Sequence, residues 1–279
     1  MRILVTNDDG VFAPGIGALT AALADAGHDV TVVAPLEDHS GSSAATGLQL
    51  QRSVGTLRFE AVELPAVPGV PAIGVAALPS VCVSLALTGT FGAPADLVVS
   101  GINRGRNTGR FVLHSGTVGA ALTAAQLGWS AIAVGLQAKG AAPVHYATAA
   151  ALTVALVDPL VAMRAGTVLN CNVPDVALDR LRGVRRAELS GAEVLHVVSV
   201  GSDQVRVTFG FAGRPTDPHD DWALGAEGFA TVTALTYPAA DPDPAVQSAV
   251  EGASAVLDAR FAHPRSLPAD PGPGTPRNA

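Results

Sequence analysis

Cysteine is scarce in this sequence. Cys82 and Cys171 are the two cysteines among 279 residues, and they do not form a CxxC spacing. Disulfide-rich secreted domains and cysteine-based zinc sites need more cysteines than this, so both classes are excluded. The pair allows one disulfide, but two buried thiols in a reducing compartment are the better interpretation.

Charged residues are also few, and the basic ones are the minority. Seventeen Lys and Arg residues against twenty-four Asp and Glu residues give a formal net charge of −7. No basic stripe offers the electrostatic surface that a nucleic-acid polymer needs, so we expect no such partner. An anionic substrate would have to be bound by a metal ion or by local backbone donors.

Long apolar runs are missing as well. No stretch reaches the roughly eighteen uninterrupted apolar residues of a membrane helix, so we expect no association with a membrane. The N-terminus, MRILVTNDDG, leads directly into a strand pattern, without the apolar run and cleavage site of a signal peptide. These features predict a soluble, cytoplasmic protein.

Two common nucleotide-binding motifs are absent. The sequence has no GxxxxGK(S/T) loop, which disfavours an ATP-binding P-loop, and no GxGxxG after the first strand, which disfavours a dinucleotide-binding site. Asp8-Asp9 also differs from the DxD arrangement of haloacid-dehalogenase-like phosphatases.

What the sequence does contain is an alternation of short apolar runs with segments of helical spacing. The runs 3–6 and 29–34 flank a helix pattern at 16–26, which is typical of a parallel β-α-β unit. Further strands are predicted at 48–76 (short ones), 96–100, 131–135 and 167–170, and further helices at 79–88, 116–127 and 146–163. The pattern predicts a Rossmann-like α/β core over residues 1–175, built on a doubly wound, mostly parallel sheet.

The pattern changes after about residue 176. Residues 194–200 and 205–211 indicate a β-hairpin around GSDQ, followed by a strand at 229–236 and a helix at 245–257. We therefore expect a C-terminal extension over 176–260 that serves oligomerisation. The Pro/Gly-rich residues 261–279 are predicted to be a disordered tail.

Polar residues follow three of the predicted strands. Asp8 and Asp9 follow the first strand, Ser40 lies in the loop after the second, and Asn103 ends the third. Adjacent carboxylates repel each other unless a cation lies between them, and Mg²⁺ and Mn²⁺ prefer such oxygen ligands. The sequence thus predicts a metal site where these loops meet, although DDG alone is equally typical of a turn with capping carboxylates.

A second candidate element is the start of the helix at 116–127. Ser115, Gly116 and Thr117 place backbone N–H groups and two hydroxyls at a helix N-terminus, where phosphate binds well. Ordinary Ser/Thr capping is the alternative for any single SGT. Beside the acidic pair, a phosphate site is the better interpretation.

These stretches resemble the survival-protein SurE family of 5′/3′-nucleotidases. The resemblance rests on ILVTNDDG with APGI (3–16), VVAP with SGSSAAT (32–46), DLVVSGINRG with Asn107 (96–107) and SGTVGAA (115–121), with weaker matches at 169–174 and 220–235. It implies a Rossmann-like fold with a swapped C-terminal extension, and a homodimer or homotetramer.

The resemblance also implies a phosphomonoesterase for nucleoside monophosphates with one Mg²⁺ or Mn²⁺ per subunit. Asp8, Asp9, Ser40 and Asn103 would be the metal ligands, with Asp8 and Asp9 also catalytic. Asn107, Ser115, Gly116 and Thr117 would surround the phosphate.

Some choices stay open at this point. The chain departs from the family pattern at Ala44, Arg106, Arg110, Phe111 and His114, which bears on the substrate more than on the metal. A phosphatase for another small phosphoester or for polyphosphate, and an impaired binding protein, are the alternatives. Attack by water and an aspartyl-phosphate intermediate on Asp8 both fit the residues.

Overall fold

Two units divide the chain, Met1–Tyr237 and Pro238–Ala279. The computed structural model describes residues 1–47, 55–138, 144–191, 193–200, 203–212, 217–237 and 244–262. Within the second unit, the described part is helix α6 (Pro244–Ala262).

The first unit is built on a nine-stranded sheet and a separate hairpin. The strands are β1 (Arg2–Thr6), β2 (Asp29–Pro35), β3 (Phe59–Val62), β4 (Ala72–Val75), β5 (Leu97–Asn103), β6 (Ala131–Gln137), β7 (Val168–Pro174), β8 (Val184–Arg186), β9 (Glu193–Val200), β10 (Val205–Ala212) and β11 (Ala230–Leu235). The helices are α1 (Pro14–Asp25), α2 (Pro79–Leu87), α3 (Gly116–Gln126), α4 (Tyr146–Val161) and α5 (Asp221–Ala226), with short 3-10 turns at Gly109–Leu113 and Leu178–Arg180.

Strand β1 lies at the centre of the sheet, whose order is β3-β4-β2-β1-β5-β6-β7-β11-β8. The six strands from β4 to β7 in this order are parallel, β3 and β11 run antiparallel to their neighbours β4 and β7, and β8 pairs in parallel with β11. From β1 the chain passes to β2, then to the edge strand β3 and back to β4, and after α2 it forms β5 on the other side of β1. Such a reversal leaves a crevice at the carboxyl ends of β1 and β5, where ligands bind in open α/β sheets.

Helices cover both faces of the sheet because successive strand residues point to opposite sides. Ile3 and Val5 of β1 belong to the apolar cluster that contains buried residues of α1 and α4. Leu4, between them, belongs to the cluster formed with α2 and α3. Three layers result, and the predicted doubly wound α/β fold with a C-terminal hairpin is confirmed.

The elements match the sequence prediction in type and order, and several of their bounds differ. Strand β5 continues to Asn103 and strand β7 to Pro174, beyond the predicted ends at 100 and 170, because both stay buried although polar residues interrupt their apolar runs. Strand β8 was not predicted, since its three residues are exposed and give no apolar pattern. Of the short strands predicted at 48–76, residues 48–54 lie outside the described residues.

Strands from the predicted C-terminal extension contribute to the main sheet. Strand β11 pairs with β7, and β8 pairs with β11, so the sheet continues past residue 175. The division into 1–175, 176–260 and 261–279 stays a prediction, and residues 263–279 of the predicted tail are outside the described residues. No helix in the described part of the chain is long and apolar enough to cross a bilayer.

Both cysteines are buried free thiols. Cys82 packs on the α2/α3 face of the sheet and Cys171 on the α1/α4 face. Burial raises the pKa of each thiol to about 12, so both stay protonated and unreactive at neutral pH.

Candidate active site

The loops that follow β1, β2 and β5 are held together at the crevice by direct hydrogen bonds. The backbone N–H of His39 donates to the Asp8 carbonyl oxygen at 2.7 Å, which ties the loop after β2 to the loop after β1. The backbone N–H of Arg104 approaches Asp9 Oδ2 at 3.4 Å from the end of β5. These contacts bring the segments of Asp8, Asp9, Ser40 and Asn103 to one place, as the strand order requires.

The two acidic side chains are largely withdrawn from water. Asp8 is 3% exposed and its Oδ1 accepts a hydrogen bond of 2.5 Å from Thr117 Oγ1, while Asp9 is half-buried. Burial raises the pKa of Asp8, although the Thr117 hydrogen bond opposes this. Burial and the neighbouring Asp8 charge raise the pKa of Asp9 to about 6. The pair therefore favours a bound positive charge, either a proton or a cation.

Ser40 belongs to a loop that contains a third carboxylate. The Ser40 N–H and the Ser40 hydroxyl both donate to Asp38 Oδ1 at 2.7 Å, and these bonds lower the pKa of Asp38. The Asp38 charge in turn raises the pKa of Asp8 and Asp9. The Ser40 oxygen keeps its lone pairs for a further partner. Sequence reasoning missed Asp38, although Asp-x-Ser is a recognisable Asx-turn pattern.

Asn103 ends β5 and contacts Asn107 across a short turn. Its Nδ2 donates to the Gly105 carbonyl at 3.2 Å and to Asn107 Oδ1 at 3.4 Å, which turns the Asn103 amide oxygen to the opposite side. Asn107 is 3% exposed, and its own Nδ2 is buried with no hydrogen-bond partner. An unpaired buried donor is costly unless a ligand supplies the acceptor.

Helix α3 begins where the sequence predicted, with Ser115 as its N-cap. Ser115 Oγ accepts from the Val118 N–H at 3.1 Å, which is ordinary capping, and its hydroxyl proton remains a donor. The Thr117 hydroxyl donates to Asp8, so it orients that carboxylate in this structure, whereas its predicted contact with phosphate stays a prediction.

Gly116 sits directly against the acidic pair. A Cβ atom at this position would lie 2.8 Å from Asp8 Oδ2 and 2.8 Å from Ser42 Oγ, so a side chain would displace one of them. The Ser42 hydroxyl is also buried without a hydrogen-bond partner, and sequence reasoning did not select it. Asp8, Ser42 and the start of α3 thus form one contiguous polar wall.

The described residues contain no group of three or more His, Cys, Asp and Glu side chains that could hold a metal ion. A cation beside Asp8 and Asp9 would therefore complete its shell with neutral oxygens, from Ser40, Asn103 and water. Hard divalent cations accept such a set, because they take carboxylate, amide, hydroxyl and water oxygens. The residues present fit Mg²⁺ or Mn²⁺ in donor type.

Arg106, Arg110, Phe111 and His114 lie between β5 and α3, and Ala44 lies in the loop after β2. Arg106 is half-buried with its guanidinium 5.4 Å from the centroid of the Trp222 ring, while Arg110 and His114 are exposed. Ala44 is exposed and Phe111 is partly buried. These side chains bring positive and apolar groups to a loop of an otherwise acidic protein.

Comparison with known proteins agrees with the fold and with the motifs. The family described as survival protein SurE matches residues 3–195. The 5′/3′-nucleotidase SurE proteins of Escherichia fergusonii and Salmonella paratyphi B are each 38% identical over 242 residues, which cover 84% of this chain and 90% of theirs. The crystal structure of the SurE protein from Aquifex aeolicus is similar in fold, with a TM-score of 0.72 at 24% identity, over 91% of this chain and 100% of that one. The chain belongs to the SurE family.

Proposed function

We propose that this protein is a 5′/3′-nucleotidase, which hydrolyses nucleoside monophosphates to nucleoside and phosphate. The observation that carries the proposal is the position of Asp8 and Asp9 in the crevice at the carboxyl ends of β1 and β5. Asp8 is buried there, directly against the N-terminus of α3. A phosphate monoester needs positive charge and N–H donors, and this place offers sites for both. The activity of the SurE relatives supports the same reaction.

Asp8, Asp9, Ser40 and Asn103 are the proposed ligands of one Mg²⁺ or Mn²⁺ per subunit. Two carboxylates balance the charge of such a cation, and the hydroxyl and amide oxygens are neutral donors that leave room for water and substrate. When bound, the cation polarises the phosphoryl group and lowers the pKa of a coordinated water. Thr117 holds Asp8 in place through its hydroxyl.

The phosphate is proposed to lie at the start of α3. The Gly116 N–H and the Ser115 hydroxyl would face its oxygens, beside Thr117, whose hydroxyl and N–H bind Asp8. Asn107 Nδ2 is a buried donor that lacks a partner. These groups stabilise the negative charge that spreads over the equatorial oxygens in the transition state.

In the proposed reaction, water attacks phosphorus in line as the ester P–O bond breaks. Asp8 or Asp9 accepts a proton from the attacking water, and the nucleoside oxygen leaves with a proton from solvent. The aspartyl-phosphate alternative would instead form a bond from Asp8 to phosphorus. Acid quenching during turnover, followed by borohydride reduction and mass spectrometry of the Asp8 peptide, separates them, because an acyl phosphate on Asp8 is reduced to homoserine whereas direct attack by water leaves Asp8 unchanged.

A substrate panel tests the proposal. Phosphate release is measured for 5′- and 3′-monophosphates of all common nucleosides, for sugar phosphates and for polyphosphate, with Mn²⁺, Mg²⁺ or EDTA. We expect metal-dependent release from nucleoside monophosphates at the highest kcat/KM. Preference for another phosphoester would favour the broader phosphatase alternative, and no release from any substrate would indicate a binding protein.

We also infer that the protein forms a homodimer or homotetramer through its C-terminal extension, and that it acts in the cytoplasm. The β9–β10 hairpin exposes Val198, Val200 and Val205 by 57%, 73% and 56%. Apolar side chains in such a row are typical of a protein interface. Light scattering of the full chain and of Val200→Glu tests the assembly, and a wild-type monomer would exclude it.

A further inference from the structure

The backbone of Asn107 is held by two asparagine side chains from strand β7. Asn107 N–H donates to Asn172 Oδ1 at 2.6 Å, and the Asn107 carbonyl accepts from Asn170 Nδ2 at 2.8 Å and from Asn172 Nδ2 at 3.0 Å. Asn170 and Asn172 point to the same side because they are two residues apart on a strand. Both polar backbone groups of Asn107 are thus satisfied by side chains that are 0% and 6% exposed.

The formation of strand β7 does not explain why asparagine occurs at positions 170 and 172. All seven residues of β7 are buried, and asparagine is a poor strand former in such a place. Burial of a carboxamide is unfavourable unless it is hydrogen-bonded. The Asn107 backbone binds both polar atoms of the Asn172 amide and the Nδ2 of Asn170, whose Oδ1 is buried without a partner.

The neighbouring strand leaves space for this arrangement. Gly135 on β6 pairs with Asn172, and a Cβ atom on it would lie 2.6 Å from the Gly105 carbonyl oxygen and 2.8 Å from Asn172 Oδ1. A glycine here lets the loop after β5 descend onto the sheet. The loop after β5 is therefore fixed to the sheet at Asn107 as well as at its two ends.

The consequence concerns the side chain of Asn107. With its backbone held on both sides, the side chain contacts Asn103 through Oδ1, and Nδ2 is buried without an acceptor. Asn103 is a proposed metal ligand, so one residue adjoins the proposed metal site on one side and offers a donor on the other. A rigidly held donor lowers the free energy of the transition state more than a donor that must be ordered during the reaction.

We infer that Asn170 and Asn172 are positioning residues of the nucleotidase, which hold Asn107 so that its amide N–H donates to the substrate phosphate. The inference rests on the proposed function. It assigns to β7, which supplies no proposed ligand, the placement of a phosphate donor.

The test is a double-mutant cycle on kcat. Asn107→Ala removes the side chain but keeps the backbone groups that Asn170 and Asn172 bind, and it should lower kcat about a hundredfold. Asn172→Leu should lower kcat by about tenfold to a hundredfold, with a smaller change in KM, because it releases the Asn107 backbone. In the Asn107→Ala background, Asn172→Leu should change kcat by no more than about threefold.

A control comes from the strand next to β7. Thr233 on β11 pairs with Asn170 and donates to the Ala187 carbonyl at 2.9 Å, away from Asn107. Thr233→Val should lower thermal stability and leave kcat unchanged. Asn172→Asp, which keeps an acceptor for the Asn107 N–H, serves if Asn172→Leu fails to fold and should show the same non-additivity.

A second measurement does not depend on turnover. Calorimetry of inorganic phosphate with Mn²⁺ present should show about tenfold weaker binding for Asn172→Leu, and no further weakening when Asn107→Ala is added. If the losses of the two single variants multiply in the double variant, both in kcat and in phosphate affinity, the inference is overturned. The proposed nucleotidase function would still stand. A wild type that binds phosphate but hydrolyses no nucleotide would refute the proposed function, and the affinity cycle would still decide the role of Asn172.

Discussion

Two pairs of adjacent aspartates occur in the sequence, Asp8-Asp9 and Asp220-Asp221, and they differ in where they lie and in what binds their oxygens. Asp220 caps α5, and its Oδ1 accepts from the Ala223 N–H at 2.7 Å. Asp221 is 1% exposed and accepts backbone N–H groups from Gly109 at 2.8 Å and Ser190 at 3.0 Å. This second pair fastens the C-terminal region to the loop between β5 and α3.

The first pair accepts hydrogen bonds from a side-chain hydroxyl as well as from backbone N–H groups. The bonds to Asp8 include the Thr117 hydroxyl, and the Arg104 N–H reaches Asp9 at the long distance of 3.4 Å. Burial raises the pKa of both Asp9 and Asp221 to about 6, so the pKa does not distinguish the pairs. Position does: Asp8 and Asp9 lie in the crevice at the carboxyl ends of β1 and β5, where open α/β sheets bind ligands, whereas Asp221 joins two distant segments through the Gly109 and Ser190 N–H groups.

Replacing Asp8 should have the largest effect on activity and so separate the two pairs most clearly. Asp8→Asn keeps the shape of the side chain but removes a charge that holds the cation, so we expect phosphatase activity to fall by several orders of magnitude. Circular dichroism should show an unchanged fold. Asp29→Asn, at an exposed position, is the control. Activity within tenfold of wild type would defeat the assignment of Asp8.

Gly116→Ala should have the next largest effect on activity. The added Cβ would press on Asp8 and Ser42 at 2.8 Å, which displaces the carboxylate from its place, and we expect kcat to fall about a hundredfold. Gly252→Ala is the matched helical control, since a Cβ there meets nothing within 4 Å. If Gly116→Ala and Gly252→Ala have equal activity, the reaction does not depend on the close contact between Gly116 and Asp8.

Thermal stability should separate the two pairs by their response to metal. Mn²⁺ at about a hundred times its Kd should raise the melting temperature of the wild type by about 5 °C or more, because the cation binds the native state only. Asp9→Asn should lose most of this shift, and Asp221→Asn should retain it. If Asp221→Asn loses the rise in melting temperature and Asp9→Asn keeps it, the cation does not bind at the Asp8-Asp9 pair.

The remaining difference between the pairs is the pH dependence of stability that Asp221 contributes. Its pKa is raised from 3.8 to about 6 in the native state, mainly by burial and also by Asp220, while Arg106 favours the charged form. The stability from this group is fully present below pH 3.8 and is lost as pH rises through 6, a change of about 3 kcal/mol. Urea unfolding without metal should therefore show wild-type stability falling relative to Asp221→Asn over this interval, and parallel curves would contradict the prediction.

Local pattern predicted most of the framework and part of the site. The end of β1 and the N-cap Ser115 follow from short segments of sequence, and the structure has them where they were expected. Asp221 is different, because it stands at the first position of α5 but accepts hydrogen bonds from the Gly109 and Ser190 N–H groups. Its partners are 112 and 31 residues away, and no local pattern records such a distance.

The sequence by itself determined the family, the doubly wound fold and the residues that end the central strands, because periodicity and motif spacing are local properties. The tertiary structure alone decided that Asp8 lies against the start of α3, that Asp38 adds its charge to Asp8 and Asp9, and that Asn170 and Asn172 hold Asn107. The physical reason is that the supply of hydrogen-bond donors and the exclusion of water depend on groups far apart along the chain.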